Sequence, residues 1–175
     1  MEIKDFIEEI KDEKLKKKLL NLWASLEERF REMPASVRFH HNYRGGLYDH
    51  TKEVLEIALR LYGAFKDNIA VNRDDVILVA FSHDLDKIDK YVKNKKRFGR
   101  NSHEFIWNEA RANTNDTAEV VNALGKYGIH LDGNQLNSFT FCHGGWSVDR
   151  GKMGPLATLI HCADILSLAF EKKRS

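Results

Sequence analysis

Two short stretches carry an imidazole and a carboxylate where burial is otherwise apolar. His83-Asp84 closes the run Val76 to Phe81, and Asp164 stands inside Leu159-Ile160-His161-Cys162-Ala163-Asp164-Ile165-Leu166. His50 lies near the start of a third apolar segment. An acid in such surroundings is costly unless it is paired, hydrogen-bonded or bound to a cation. Neutral imidazoles together with carboxylates are the donors that a divalent ion with open water positions takes. From residue types alone, a metal site and a structural acid beside satisfied core histidines stand level.

The elements that must position these groups read as helices. Apolar residues from Ile3 to Met33 recur at helical spacing, with a break near Asp12. Pro34 to Gly46 is irregular and ends in the permissive pair Gly45-Gly46. A long helix is expected from about Leu47 to Ala64. Another, capped by Asn72 or Asp74, leads to His83-Asp84. Lys87 to Arg100 is strongly basic and reads as a helix end and surface loop. The second half of His103 to Tyr127 is helical, and Asp132 or Asn134 caps a short helix through Phe141. A last helix starts at Pro155, a residue tolerated in the first turn, and runs to about Lys172. No strand alternation of useful length occurs, so the expected fold is all-α.

The order His50, His83-Asp84, Asp164 resembles the H…HD…D signature of the HD superfamily. The segment from Pro34 to Thr51, with His40-His41-Asn42-Tyr43-Arg44-Gly45-Gly46-Leu47-Tyr48-Asp49-His50-Thr51 at its end, is similar to the "HHxYRGGLLEHT" motif of one branch. That branch includes HD-domain 3′→5′ exoribonucleases and HD domains attached to relaxases. Ser82-His83-Asp84-Leu85-Asp86-Lys87-Ile88 resembles its "HDIGKI", and Cys142-His143-Gly144-Gly145 its "HHG". The resemblance covers about Pro34 to Phe170. It implies an HD helical bundle over residues 34–175, with residues 1–33 as an amphipathic helical extension packed on it. It also implies a metal-dependent phosphohydrolase in which His50, His83, Asp84 and Asp164 hold a divalent ion: manganese, iron, cobalt, nickel, zinc or magnesium. Such an ion polarises a phosphoryl oxygen and lowers the pKa of a bound water.

Lys87, one helical turn past Asp84, is a candidate to neutralise charge on the phosphate. Asp86 replaces the motif's glycine and either orients the attacking water or pairs with Lys87 or Lys90. Cys142 replaces the first histidine of the pair, which argues for one tight ion and at most a weak second. His143 then reads as a phosphate contact or proton donor. Candidate catalytic residues are therefore Asp84, Asp86, Lys87 and His143. Substrate contacts are expected from Arg44 in the glycine-flanked turn, Lys87, Arg150 and Lys152, with Trp146 or Tyr43 as a face for a nucleobase.

Bulk properties narrow the substrate. With 28 basic and 26 acidic side chains in 175 residues the net charge is +2, which argues against a nucleic-acid coat or a membrane-surface protein. Two cysteines make no disulfide framework, the charged N-terminus is no signal peptide, and no apolar stretch approaches the roughly 18 residues needed to span a bilayer. A cytoplasmic setting is expected. The first reading is a small-molecule phosphohydrolase acting on a nucleoside mono- or triphosphate. The second is a nuclease or cyclic-nucleotide phosphodiesterase, and the third a non-catalytic HD nucleotide-binding module. A homodimer through the N-terminal apolar face is a further expectation.

Overall fold

A computed structural model describes residues 1–95, 103–111, 114–144 and 151–171, the side chains of residues 170 and 171 excepted. Eight α-helices occur among them: α1 (Ile3–Glu8), α2 (Glu13–Phe30), α3 (Gly46–Phe65), α4 (Arg73–Ser82), α5 (Lys87–Lys90), α6 (Asp116–Lys126), α7 (Gly133–Phe141) and α8 (Pro155–Glu171). The fold is all-α. Two three-residue strands, β1 (Tyr91–Lys93) and β2 (Phe105–Trp107), pair antiparallel with Val92 opposite Ile106.

The helix starts follow from local chemistry. Asp12 accepts from the backbone N–H groups of Lys14 and Leu15, which ends α1 and begins α2. Asn72 caps α4 through the Asp74 N–H, and Asn115 caps α6 through that of Ala118. Asp132 and Gln135 form a reciprocal capping box on α7.

The centre of the molecule is α4. From Val76 to Ser82 every one of its residues is buried, so the helix has no solvent face. It packs on α3, which also packs on α8, and α8 packs on α7. The first two helices close the remaining side. Ile3, Phe6, Ile7, Leu19, Leu22, Trp23 and Phe30 join the same core cluster as Val76 to Phe81. Phe30 and Phe81 stack at 5.8 Å, and the Trp23 ring meets Phe81 edge-on at 6.1 Å. The Asp74 carboxylate reinforces this closure by accepting from the N–H groups of Lys11 and Asp12 in the α1–α2 turn.

Of the helix end and surface loop expected from Lys87 to Arg100, Lys87–Lys90 is a short helix and Tyr91–Lys93 a strand, and residues 96–100 lie outside the described residues. The triplets Tyr91-Val92-Lys93 and Phe105-Ile106-Trp107 supply β-branched and aromatic residues, but three residues are too few to show alternation. Tyr91 and Phe105 turn inward and pack with Val37. Among the described residues no helix is long and apolar enough to cross a membrane.

At the edge of the bundle, Glu2 accepts from the Tyr48 hydroxyl and from Lys52, whose ammonium lies 3.2 Å away. These bonds lower the Glu2 carboxyl from its ordinary 4.5 to about 2, and burial with the same bond raises the Tyr48 phenol to about 12.

Two outcomes follow from this packing. Phe81→Ala should cost about 3–5 kcal/mol in urea unfolding, because it removes a ring that joins α2 to α4. A carboxyl held low in the folded state contributes stability above its unfolded pKa, and that contribution disappears as pH falls towards the folded value. The difference in thermal midpoint between wild type and Glu2→Gln should therefore be present at pH 6 and shrink between about pH 4.5 and pH 2.

Candidate metal centre

Three helices deliver the four expected ligands to one point. His50 comes from the first turns of α3, His83 and Asp84 from the end of α4, and Asp164 from the middle of α8. His50 Nε2 lies 3.3 Å from His83 Nε2, 3.3 Å from Asp84 Oδ2 and 3.3 Å from Asp164 Oδ1. His83 Nε2 lies 3.4 Å from Asp84 Oδ2. The tightest group is His50, His83 and Asp84, whose ligand atoms all fall within 4.8 Å of one another, and Asp164 joins it through His50.

The outer nitrogen of each imidazole is already committed. His83 Nδ1 lies 2.9 Å from the Ala80 carbonyl, which can only accept, so this nitrogen carries the hydrogen. His50 Nδ1 lies 3.1 Å from the Ser167 hydroxyl, which donates to the Asp164 carbonyl at 2.7 Å. His50 Nδ1–H is then the donor to Ser167 Oγ. Both Nε2 lone pairs therefore converge between two carboxylates. Two acceptors 3.3 Å apart have no hydrogen to share unless one ring takes an extra proton.

Electrostatics agree with this geometry. Burial pushes the His83 imidazole down to about 4, and burial with the neighbouring His50 brings His40 to about 3. For His50, burial is outweighed by Asp164 and Asp84, and its pKa is raised. Asp84 is held well below the carboxylate range against its burial, by Lys87, His83 and His50. Asp164 is likewise held low by His143 and His50. The neutral His83 beside ionised carboxylates is in the state that metal ligation requires, and the raised His50 carries a proton where an ion would otherwise stand.

The donors fit a divalent ion. Bonds of ~2.1 Å place neighbouring ligand atoms about 3.0–3.4 Å apart, and the separations here are 3.3 and 3.4 Å. Asp84 Oδ1 is also buried with no hydrogen-bond partner among the described residues, a position a cation would satisfy. A second group of possible ligands, His40, His41 and His50, adjoins the first.

The centre opens onto a cavity of about 570 Å³. Asp84, Asp164 and His143 line it, whereas His50 and His83 are fully buried behind it. Lys87 lines the cavity and donates to Asp84 Oδ2 at 2.6 Å. Asp86 also lines the cavity, and its carboxylate accepts from Lys90 at 3.0 Å. Burial raises the Asp86 carboxyl. His143 reaches both acids, at 3.8 Å from Asp84 Oδ1 and 3.6 Å from Asp164 Oδ2.

Other expected contacts fall elsewhere. Arg44 is exposed, 3.7 Å from Glu32, and is not among the cavity-lining residues. The exposed Lys152 is absent from that wall as well; its backbone carbonyl accepts from Asn137. Tyr43 donates to Asp49 at 2.9 Å and does not line the cavity. Trp146 and Arg150 lie outside the described residues.

Phe39, His40 and His161 are among the lining residues to which the sequence reading gave no role. His161 Nδ1 donates to the Cys142 carbonyl at 2.7 Å, which ties α8 to the backbone preceding His143. Its ring fits beneath Gly144, where φ is +57° and an added Cβ would lie 2.3 Å from His161 Cε1. Its spacing of one helical turn from Asp164 was the available signal.

No protein-family model matches the chain, and no solved structure matches it. Among curated proteins, it is similar to the dihydroneopterin 2′,3′-cyclic phosphate phosphodiesterase of Methanocaldococcus jannaschii. The two are 34% identical over 100 residues, covering 50% of this chain and 40% of that protein. The chain thus matches less than half the length of this relative.

For an ion held by these donors, the hydroxyl that orients His50 has a measurable role. Ser167→Ala should lower metal affinity about 10–100-fold, read by competition with a chromogenic chelator, while the circular dichroism spectrum stays that of the wild type.

Proposed function

We propose that this protein is a metal-dependent phosphohydrolase of the HD type that cleaves a phosphate ester of a small, nucleotide-like molecule. The observation that carries the reading is the convergence of the His50 and His83 Nε2 atoms with the Asp84 and Asp164 carboxylates beside an open cavity. These four residues are the proposed ligands. A divalent ion held by them supplies Lewis-acid polarisation of a phosphoryl oxygen and a lowered pKa for water.

The chain's own residues do the rest. Lys87 stands on the cavity wall beside Asp84 and presents its ammonium to the phosphate oxygens. His143, between the two acids, positions a ring N–H for the phosphate or for the departing oxygen. Asp86 holds Lys90 against the wall and keeps a second cation close to the substrate. In hydrolysis of a cyclic diester, the water oxygen forms a new bond to phosphorus and one ester P–O bond breaks. The proton ends on the released alkoxide oxygen, and no other reactant is needed.

The similarity to a cyclic-phosphate phosphodiesterase moves the cyclic diester ahead of nucleoside mono- and triphosphates as the substrate class. A cavity of about 570 Å³ has the capacity of a small-ligand pocket. The net charge of +2 does not favour a long nucleic-acid substrate.

The test is a turnover panel with manganese, iron(II) or cobalt. It contains nucleoside 2′,3′-cyclic phosphates, dihydroneopterin 2′,3′-cyclic phosphate, nucleoside mono- and triphosphates, dinucleotides and short RNA. Cyclic diesters should be opened to monoesters, and Asp84→Ala should reduce the rate to background. Turnover of mononucleotides alone would restore the nucleotidase reading. Metal-loaded protein that cleaves none of them, or an Asp84→Ala variant with wild-type rates, would overturn the proposal.

A further inference from the structure

We infer that Phe39 is the ring platform of this cavity, the surface on which the planar heterocycle of the substrate stacks. The inference rests on the phosphohydrolase reading for where the phosphate sits, and on separate observations for the ring. Phe39 lines the cavity yet is 76% exposed, an unusual state for a large aromatic side chain. Its neighbour His40 also lines the cavity, with its ring 5.0 Å from that of His50, so the exposed ring stands next to the proposed ion site.

Phe39 is held in place. The Ser36 hydroxyl accepts from the N–H groups of Arg38 and Phe39 at 3.2 and 3.0 Å, and the Ala35 N–H donates to the His41 carbonyl at 3.1 Å. The far end of this loop is clamped on the start of α3. Gly46 approaches the His41 carbonyl so closely that a Cβ there would lie 2.0 Å from the oxygen. With the loop backbone already fixed, stacking has only the Phe39 side-chain torsions left to order.

A second element adds apolar surface. Ile165, which follows Asp164 on α8, is 50% exposed, and the half-buried Leu168 lies one turn further on. Both line the same cavity. The cavity therefore has an apolar lip beside a charged end built from Asp84, Lys87, His143 and Asp164. Apolar surface rimming a polar pocket marks a ligand site. Elsewhere on the wall, Asp86, Lys90 and Asp116 form an ion-paired group, with Lys90 3.0 Å from Asp86 and 2.6 Å from Asp116, whose carboxylates keep further lone pairs. Such groups recognise the N–H and carbonyl edge of a heterocycle and would be wasted on a hydrocarbon chain. The ligand class is therefore a phosphate ester bearing a planar, hydrogen-bonding ring.

The experiment reads binding rather than turnover. Metal-loaded protein is titrated calorimetrically with guanosine 5′-monophosphate and with ribose 5-phosphate, which keeps sugar and phosphate but lacks the ring. Stacking of a base on an aromatic side chain is worth about tenfold or more in affinity. Wild type should prefer the nucleotide by at least that factor. Phe39→Ala should remove the preference and leave ribose 5-phosphate affinity within about twofold, whereas Phe39→Tyr should keep it. An unchanged thermal midpoint for Phe39→Ala, expected of an exposed side chain, shows that the fold is intact.

The inference is overturned if wild type shows no preference, if Phe39→Ala retains it, or if the variant loses both ligands equally. In the last case Phe39 supports His40 and its loop instead. Failure of the turnover panel alone leaves this binding difference intact and strikes only the hydrolase reading.

Discussion

An imidazole has two ring nitrogens, and once one is committed as a donor the other must find a proton or a cation. The arrangement at the heart of this protein follows from that constraint, imposed twice. Ala80 commits His83 and Ser167 commits His50, and the two remaining nitrogens meet 3.3 Å apart between acids. Buried carboxylates and imidazoles are tolerated only when their charges are matched. Here Lys87 partly matches them, through its contact with Asp84, and the remaining potential suits a divalent ion.

Holding three helices in that relation requires a core that does not yield. Because α4 is enclosed on every side, a shift of His83 and Asp84 would displace the packed residues from Val76 to Phe81. The N-terminal helices supply part of that enclosure through Trp23 and Phe30. They therefore bear on the site without touching it. Asp74, at the other end of α4, fixes the turn between them by accepting from Lys11 and Asp12.

Much of this was legible in the sequence, for reasons that differ by element. The amphipathic α2 and α3 show their periodicity openly; Asp12 was legible as a break, and of the paired capping candidates Asn72 and Asp132 are the ones that cap. The strands were not legible, since three residues cannot display alternation. His50, His83, Asp84 and Asp164 stood out because charge in an apolar run demands a partner, and the order of the motif supplied the rest. Arg44 was expected to contact phosphate because an arginine in a glycine-flanked turn suits it, and the structure places it at the surface, 3.7 Å from Glu32. Phe39 is the converse case. Nothing in its one-letter context says that an aromatic will be left uncovered, because that depends on how the loop from Ala35 to His41 closes.

One feature of α8 reaches beyond geometry. Asp164 and Ser167 lie less than one turn apart, one supplying a carboxylate to the centre and the other fixing the ring that meets it. The rotational phase of this helix is thereby encoded twice within four residues. A single-residue insertion or deletion between them would rotate one against the other by about 100°, separating the acid from the ring it is meant to face. Length variation in this segment is therefore penalised more severely than substitution, and sequences that keep this chemistry should preserve that interval even where the residues around it drift.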